Sequence, residues 1–412
     1  MRRFSIGALS ALVWAGGWQL CATDWPQWGG PKRNHVSEET GLMQQWPAEG
    51  PKRVWLNDSA GFGYSGVAVA NGKLFTIGAR NNAEHLIAIN AADGKELWSA
   101  EIGPVLKNNW GDGPRGTPTV EGAKVYALAG QGTLVSANVQ DGKVLWKKRM
   151  QDLGGSVPGW GYTESVLVNG ENVYCTPGGK KGAIAALDTA TGEVKWQSTE
   201  FTDGAQYASM ASSEINGTRQ VIQLTMNSLV GIDSKNGKLL WKSEFPGRTA
   251  VIPSPVVQGN EVYITAGYGA GCKLVRIGAK NKVEEVYENK VMKNHHGGVV
   301  LVGGHIYGYS DGPGWVCQKF TSGEEVWASK KLGKGAVTSA GGRLYCLEED
   351  SGTVVLIEPS TTGWKEHGRF KLQAQSSQRS SSGKVWTHPV IANGKLYLRD
   401  QELLSCYDVS GQ

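Results

Sequence analysis

The sequence predicts an all-β protein, an eight-bladed β-propeller of four-stranded antiparallel blades. Three observations carry that prediction: a composition rich in turn-forming glycine, a strand–turn–strand unit that recurs along the chain, and an unpaired strand near the N-terminus able to close a ring. Glycine fills 58 of 412 positions, far short of the one residue in three of collagen. Hydrophobic residues make up 40% of the chain, enough to bury a core against the entropy of the unfolded state, so disorder is excluded. The net charge of +5 is too weak in a chain of this size to point to nucleic acid.

Taken in order, Met1-Arg2-Arg3 and the apolar run Phe4 to Leu20 read as a secretory signal peptide, cut after Ala22. Residues 1–22 are then a leader, residues 23–412 a single propeller domain, and the protein periplasmic or secreted. A lipid on Cys21 is not expected, because Trp18-Gln19-Leu20 lacks the small residues that precede a lipoprotein cysteine. Beyond the leader no apolar run approaches the ~18 residues that cross a bilayer, so no transmembrane segment is expected. Lys52 to Leu56 is a Trp-bearing strand with no hairpin before it.

The repeat follows. Leu86 to Trp98 and Leu134 to Trp146 share an alternating strand, a Gly turn and a strand ending in Trp. The pattern returns at Ile184 to Trp196 and Leu229 to Trp241, more loosely around Trp327, and in degenerate form near Tyr287 and His367. Asp93-Gly94, Asp141-Gly142, Thr191-Gly192, Asn236-Gly237 and Ser322-Gly323 supply the positive φ that tight hairpins need. An upstream ladder of turns gives the count: Asn71-Gly72, Glu121-Gly122, Asn169-Gly170, Asn216-Gly217, Gly259-Asn260, Gly303-Gly304, Gly341-Gly342 and Asn393-Gly394. There are eight, and the first four steps between aromatics span 45 to 50 residues, the range of propeller blades. The last unit stops at Gln412 one strand short, so the strand around Trp55 is expected to complete it and leave no free edge at the seam. Trp98, Trp146, Trp196, Trp241 and Trp327 are expected to pack between blades. Cys175, Cys272, Cys317, Cys346 and Cys406 are odd in number and never in CxxC pairs, so they read as small buried hydrophobes rather than metal ligands.

The unit Ala186-Leu-Asp-Thr-Ala-Thr-Gly-Glu-Val-Lys-Trp196 resembles the tryptophan-docking repeat of the quinoprotein, or PQQ-type, propellers, and the resemblance covers essentially the whole mature chain. Two branches of that superfamily are relevant. In PQQ-dependent dehydrogenases the quinone and a calcium ion sit on the propeller axis. BamB-like exported propellers are non-catalytic scaffolds. This sequence has no Cys-Cys pair of the kind that covers the quinone, and Pro177 to Gly182 offers two lysines where an acidic calcium ligand belongs. The resemblance therefore implies a BamB-like binding or scaffold module of the cell envelope, a monomer with no catalytic residues, no metal and no cofactor, whose partner is an envelope protein or a polysaccharide. PQQ with calcium is the alternative, an alcohol dehydrogenase-type oxidoreductase with Glu164 or His388 as base and Trp386 as stacking platform.

Candidate binding residues come from the turn ladder. Counting back five residues from each turn gives Gly66, Gly116, Glu164, Ala211, Ser254, Gly298, Ala336 and His388, small residues apart from Glu164 and His388. Two residues earlier, on the same strand face, stand Tyr64, Pro114, Tyr162, Ser209, Ile252, His296, Lys334 and Trp386. Tyr162, Glu164, His296, Lys334, Trp386 and His388 are thus the axial candidates, suited to a polar, unsaturated ligand or to a wet polar channel. Adjacent His295 and His296 cannot share one face of a regular strand and make a poor metal pair. Asn108 to Arg115 and Gly155 to Tyr162 are long Gly-rich connections carrying aromatics, and they mark Trp110, Asp112, Arg115 and Trp160 as binding-loop residues. Gln373 to Gly383 reads as a mobile polar insertion. Templates for a nucleophile elbow, a zincin helix and a P-loop are all missing from the sequence.

Overall fold

The computed structural model describes residues 23–411, and the leader assigned to residues 1–22 lies outside them. The repeat folds into eight antiparallel sheets of four strands, arranged as the blades of a closed propeller. In blade 1 the strands are Ala68–Ala70, Lys73–Arg80, Ala83–Asn90 and Glu96–Pro104, innermost first. Innermost strands of successive blades are short, three to six residues, as crowding toward an axis requires.

Closure happens at blade 8. Its first three strands are Val390–Ala392, Lys395–Asp400 and Leu403–Asp408, and the fourth is Arg53–Asn57 from the far end of the chain, with Trp55 opposite Cys406. Arg399 secures the seam between blades 8 and 1. It is 1% exposed, and its guanidinium donates to the carbonyls of Ser65, Ile77, Gly61 and Gln401 at 2.8–2.9 Å.

Between blades the aromatic ladder does what its geometry allows. Trp98 Nε1 donates to Val139 O, and its ring lies where a Cβ on Gly142 would stand, 2.4 Å from the nearest ring atom. The same arrangement joins Trp55 to Ala91 and Gly94, Trp146 to Thr189 and Gly192, and Trp196 to Ser234 and Gly237. Tyr287 plays the part in blade 5, donating to Phe320 O beside Gly323. Trp241 departs from it: in the matching turn of the next blade Lys280 and Asn281 rather than glycine take the left-handed conformation, and the indole instead donates to Gln220 Oε1 within its own blade at 2.6 Å. All five described cysteines are buried and unpaired.

One element lies outside the repeat. Residues 23–39 run across the end of the axis where the turns between first and second strands gather, and residues 42–46 then pack between blades 7 and 8, with Met43 N donating to Val409 O and Trp46 N to His367 O. Trp25 pairs with Val69, Pro26 O accepts from Val120 N, and Val36–Ser37 adds a short parallel strand to the innermost strand of blade 7. Glu39 accepts from the backbone of Asn393 and Gly394 in the blade 8 turn. The segment plugs one end of the ring.

Candidate functional site

Above the plug the axis opens into a cavity of about 230 Å³, floored by Trp28, Arg33 and His35 and walled by the segments that lead into the innermost strands. Trp110 and Tyr268 line it and are 47% and 41% exposed, so the cavity reaches the surface there. Its volume is somewhat below the ~300 Å³ at which pockets for drug-sized ligands start.

The register of the innermost strands decides which side chains face inward. In blades 1 and 4 to 8 the two-residue turn begins where the ladder placed it, for example Asn71-Gly72 between Ala70 and its partner Lys73. In blades 2 and 3 it begins one residue later: Glu121 pairs with Lys124 and Asn169 with Asn172, so the turns are Gly122-Ala123 and Gly170-Glu171. A shift of one residue turns every side chain to the opposite face. The inward positions of these blades are therefore Arg115 with Thr117 and Thr163 with Ser165. Of the inner ring Tyr64, Arg115, Thr163, Ser209, Ile252, His296, Lys334 and Trp386, seven line the cavity, Lys334 being the exception.

The same shift accounts for Tyr162 and Glu164, which the sequence count places at the axis. Both turn away from the cavity. Tyr162 is packed in the core between blades with its hydroxyl on Pro177 O. Glu164 is 2% exposed and accepts from Thr176 N at 2.7 Å and Thr176 Oγ1 at 3.0 Å. Burial pushes its pKa up to about 7, opposed by the two bonds from Thr176 and by the Arg33 charge. Arg33 itself reaches from the plug to the carbonyls of Met210 and Ser165, 2.8 and 2.6 Å away.

His296, Trp386 and His388 are brought together on the wall, with the His296 and Trp386 rings 5.5 Å apart. His388 Nε2 donates to His296 O at 2.9 Å, and its ring meets Trp28 of the plug at 4.7 Å. Burial lowers the His388 pKa to about 4, so the imidazole is neutral and its buried Nδ1, which has no partner, is an acceptor. Lys334 stands behind this wall, where Nζ bonds Asp311 Oδ1 at 3.0 Å and His295 Nδ1 at 2.5 Å. An ammonium can only donate, so His295 carries its proton on Nε2 and passes it as a hydrogen bond to Tyr268 Oη at 2.7 Å. The Tyr268 hydroxyl proton is thereby left available for another acceptor. Burial, with His296 and Lys334 adding to it, lowers the His295 pKa to about 3.

The two long connections pack on each other at the cavity mouth. Arg115 Nε donates to Trp160 O at 3.1 Å, Asn108 Nδ2 to Gly159 O at 3.1 Å, and Tyr64 Oη to Trp110 O at 2.7 Å. Trp110, Arg115 and Trp160 all line the cavity, whereas Asp112 binds Lys107 and the Asn108 backbone and ties its own loop. The stretch from Gln373 to Gly383, expected as a mobile insertion, is anchored: Ser376 N donates to Asp400 Oδ2, Arg379 pairs with Asp400 at 3.0 Å, and Ser380 Oγ bonds Asn109 O at the mouth. Sequence reasoning missed Trp28, Arg33, His35, Tyr207 and Tyr268. For the first three the available signal was the pair of tryptophans in Trp25-Pro-Gln-Trp28, unusual in an otherwise polar stretch.

The family described as outer membrane protein assembly factor BamB (PQQ_2) matches residues 47–156 and 82–329. Among curated relatives, the tetrathionate hydrolase of Acidithiobacillus ferrooxidans is 23% identical over 74% of this chain and 54% of its own length. The BamB proteins of Kangiella koreensis and Escherichia coli are 26% and 25% identical, over 53% and 45% of this chain and 50% and 57% of theirs. The chain thus spans about half the length of the curated relatives it matches. Among solved structures, BamB from Moraxella catarrhalis superposes with a TM-score of 0.58 at 14% identity, covering 84% of this chain and 94% of the other. Quinohemoprotein alcohol dehydrogenase from Comamonas testosteroni gives 0.63 at 13% identity, covering 94% and 81%. At such identities the structures share the fold alone. No helix among the described residues is long and apolar enough to cross a membrane.

Proposed function

This chain belongs to the family described as outer membrane protein assembly factor BamB, and from that premise we propose that it is an exported, non-catalytic propeller of the cell envelope that binds its partner, a protein or a polysaccharide, at the cavity mouth. The observation that supports the reading is the donor set of the cavity. Its lining is aromatic, hydroxyl and cationic, with two arginines and neither an aspartate, a glutamate nor a cysteine among the described residues.

Calcium takes six to eight oxygen ligands, charged carboxylates prominent among them. A cavity walled by guanidiniums and indoles does not fit a calcium-bound quinone, and no step is derived through one. Glu164, the carboxyl offered as a base in the dehydrogenase alternative, faces away from the cavity and is occupied by Thr176. The experiment is reconstitution of the purified protein with PQQ and calcium, followed by absorbance and dye-linked alcohol oxidation. The expected result is no quinone spectral change and no turnover. Turnover dependent on both additives would overturn the non-catalytic reading.

A further inference from the structure

Two guanidiniums border the axial cavity and nothing on its lining neutralises them. Arg33 spends its donors on carbonyls of the plug and of blades 3 and 4. Arg115 is differently placed. Its Nε and Nη2 donate to Trp160 O and Gly111 O, its charge stands 5.0 Å over the Tyr64 ring, and its buried Nη1 has no hydrogen-bond partner. Among the described residues neither arginine forms an ion pair; Glu84 and Asp112 act on Arg115, and Glu164 on Arg33, only from beyond that distance. An arginine stays charged in any protein environment, and a buried guanidinium nitrogen with no partner favours an anion that can accept from it. A planar carboxylate matches the donors of a guanidinium and is small enough to sit beside a ring in this space.

The remaining lining narrows the class. Trp110, Trp160, Trp386, Tyr207 and Tyr268 give the cavity flat apolar faces, and Thr163, Ser165, Ser209 and Ser254 give it a belt of small hydroxyls. Flat faces alone would suit an aromatic acid. Thr163 Oγ1 donates to Tyr207 O, while the Oγ atoms of Ser165, Ser209 and Ser254 accept from Thr117 N, Ser165 N and Trp28 Nε1; three hydroxyl protons remain to donate, and a flat aromatic ring offers them no acceptor. A sugar ring meets both, stacking its C–H face on the indoles and exchanging hydrogen bonds through its own hydroxyls. At about 230 Å³ the space admits a ring rather than a chain. We infer that the axial cavity holds a terminal uronate, a carboxylated sugar residue of an acidic polysaccharide, with its carboxylate drawn to Arg115. The inference rests on the binding reading above and selects the polysaccharide from its two partner classes.

The test is calorimetric titration of the full chain with methyl glucuronoside, with methyl glucoside as the neutral sugar and with benzoate as a flat carboxylate lacking hydroxyls. Wild type is expected to bind the uronate about tenfold more tightly than either control, a preference that shrinks as salt rises from about 50 to about 500 mM. Arg115→Gln is expected to remove the preference over glucoside, and Arg115→Lys to keep part of it. Equal binding of glucoside and glucuronoside by wild type overturns the assignment of charge. Tighter binding of benzoate overturns the sugar, and binding of none of the three overturns both. The wild-type comparison needs no variant to fold. None of these outcomes bears on quinone turnover, so the two readings fail separately.

Discussion

Glu164 is a buried carboxyl whose proton belongs to the folded state. Its pKa rises from the ordinary 4.5 to about 7, chiefly because burial disfavours the anion. Between those values the folded chain holds a proton that the unfolded chain has released. This contribution to stability is therefore present at low pH and is lost as pH rises through about 7. His388 works in the opposite sense: held at about 4 by burial, it is neutral where the unfolded imidazole charges, so stability falls as pH drops below the ordinary 6.5. Glu164→Gln keeps the shape and removes the titration. Urea unfolding should show the variant gaining on wild type between pH 5 and pH 8, by on the order of 2–3 kcal/mol. A difference that stays constant across that range would mean that Glu164 does not titrate with folding.

At the scale of the element, the hairpin turn that receives each aromatic carries two demands, on backbone conformation and on space. Gly142 and Gly72 both have φ of +73°, so alanine at either meets the same left-handed penalty, roughly 1–2 kcal/mol. They differ in surroundings: a Cβ at Gly142 would stand 2.4 Å from the Trp98 ring, and at Gly72 it would meet nothing within 4 Å. Gly142→Ala should consequently cost about 1–3 kcal/mol more than Gly72→Ala in denaturant unfolding, the excess being the displaced indole and its bond to Val139. Equal costs would show that the aromatic ladder adds nothing to the joining of blades. Trp241 marks the limit of the device, since where the next blade lacks the glycine the indole turns to Gln220 instead.

At the scale of the whole molecule, neighbouring N-terminal segments serve different ends of the fold. Residues 23–39 plug the axis, residues 42–46 pack between blades 7 and 8, and Arg53–Asn57 seals blade 8. A chain beginning at residue 47 keeps every blade at four strands, though the cavity loses Trp28, Arg33 and His35 from its floor. A chain beginning at residue 58 leaves Leu403–Asp408 as an open edge, which invites pairing with another copy. The first truncation should lower the melting temperature and remain dispersed; the second should associate, as read by light scattering. Dispersion of both would show that closure by the Trp55 strand does not hold the ring.

How much of this could be read in advance follows from what each feature depends on. The blade count and the closing strand rest on local turn chemistry repeated eight times, and repetition averages out local exceptions. The cavity wall depends on register, where no averaging helps: a turn displaced by one residue in blade 3 exchanges Tyr162 and Glu164 for Thr163 and Ser165. Trp110, Arg115 and Trp160 were found because they stand in long loops next to the repeat, and their contacts with one another were not part of that signal. The plug was missed because it follows no period at all. By itself the sequence determined the strands and the number of blades, each set by residues close together in the chain, and an unpaired strand at one end with a unit one strand short at the other signalled the ring. Tertiary structure alone decided that an aperiodic N-terminal segment lies across the axis and which face of each inner strand meets it, because those contacts join residues up to hundreds of positions apart, as Trp28 meets Ser254.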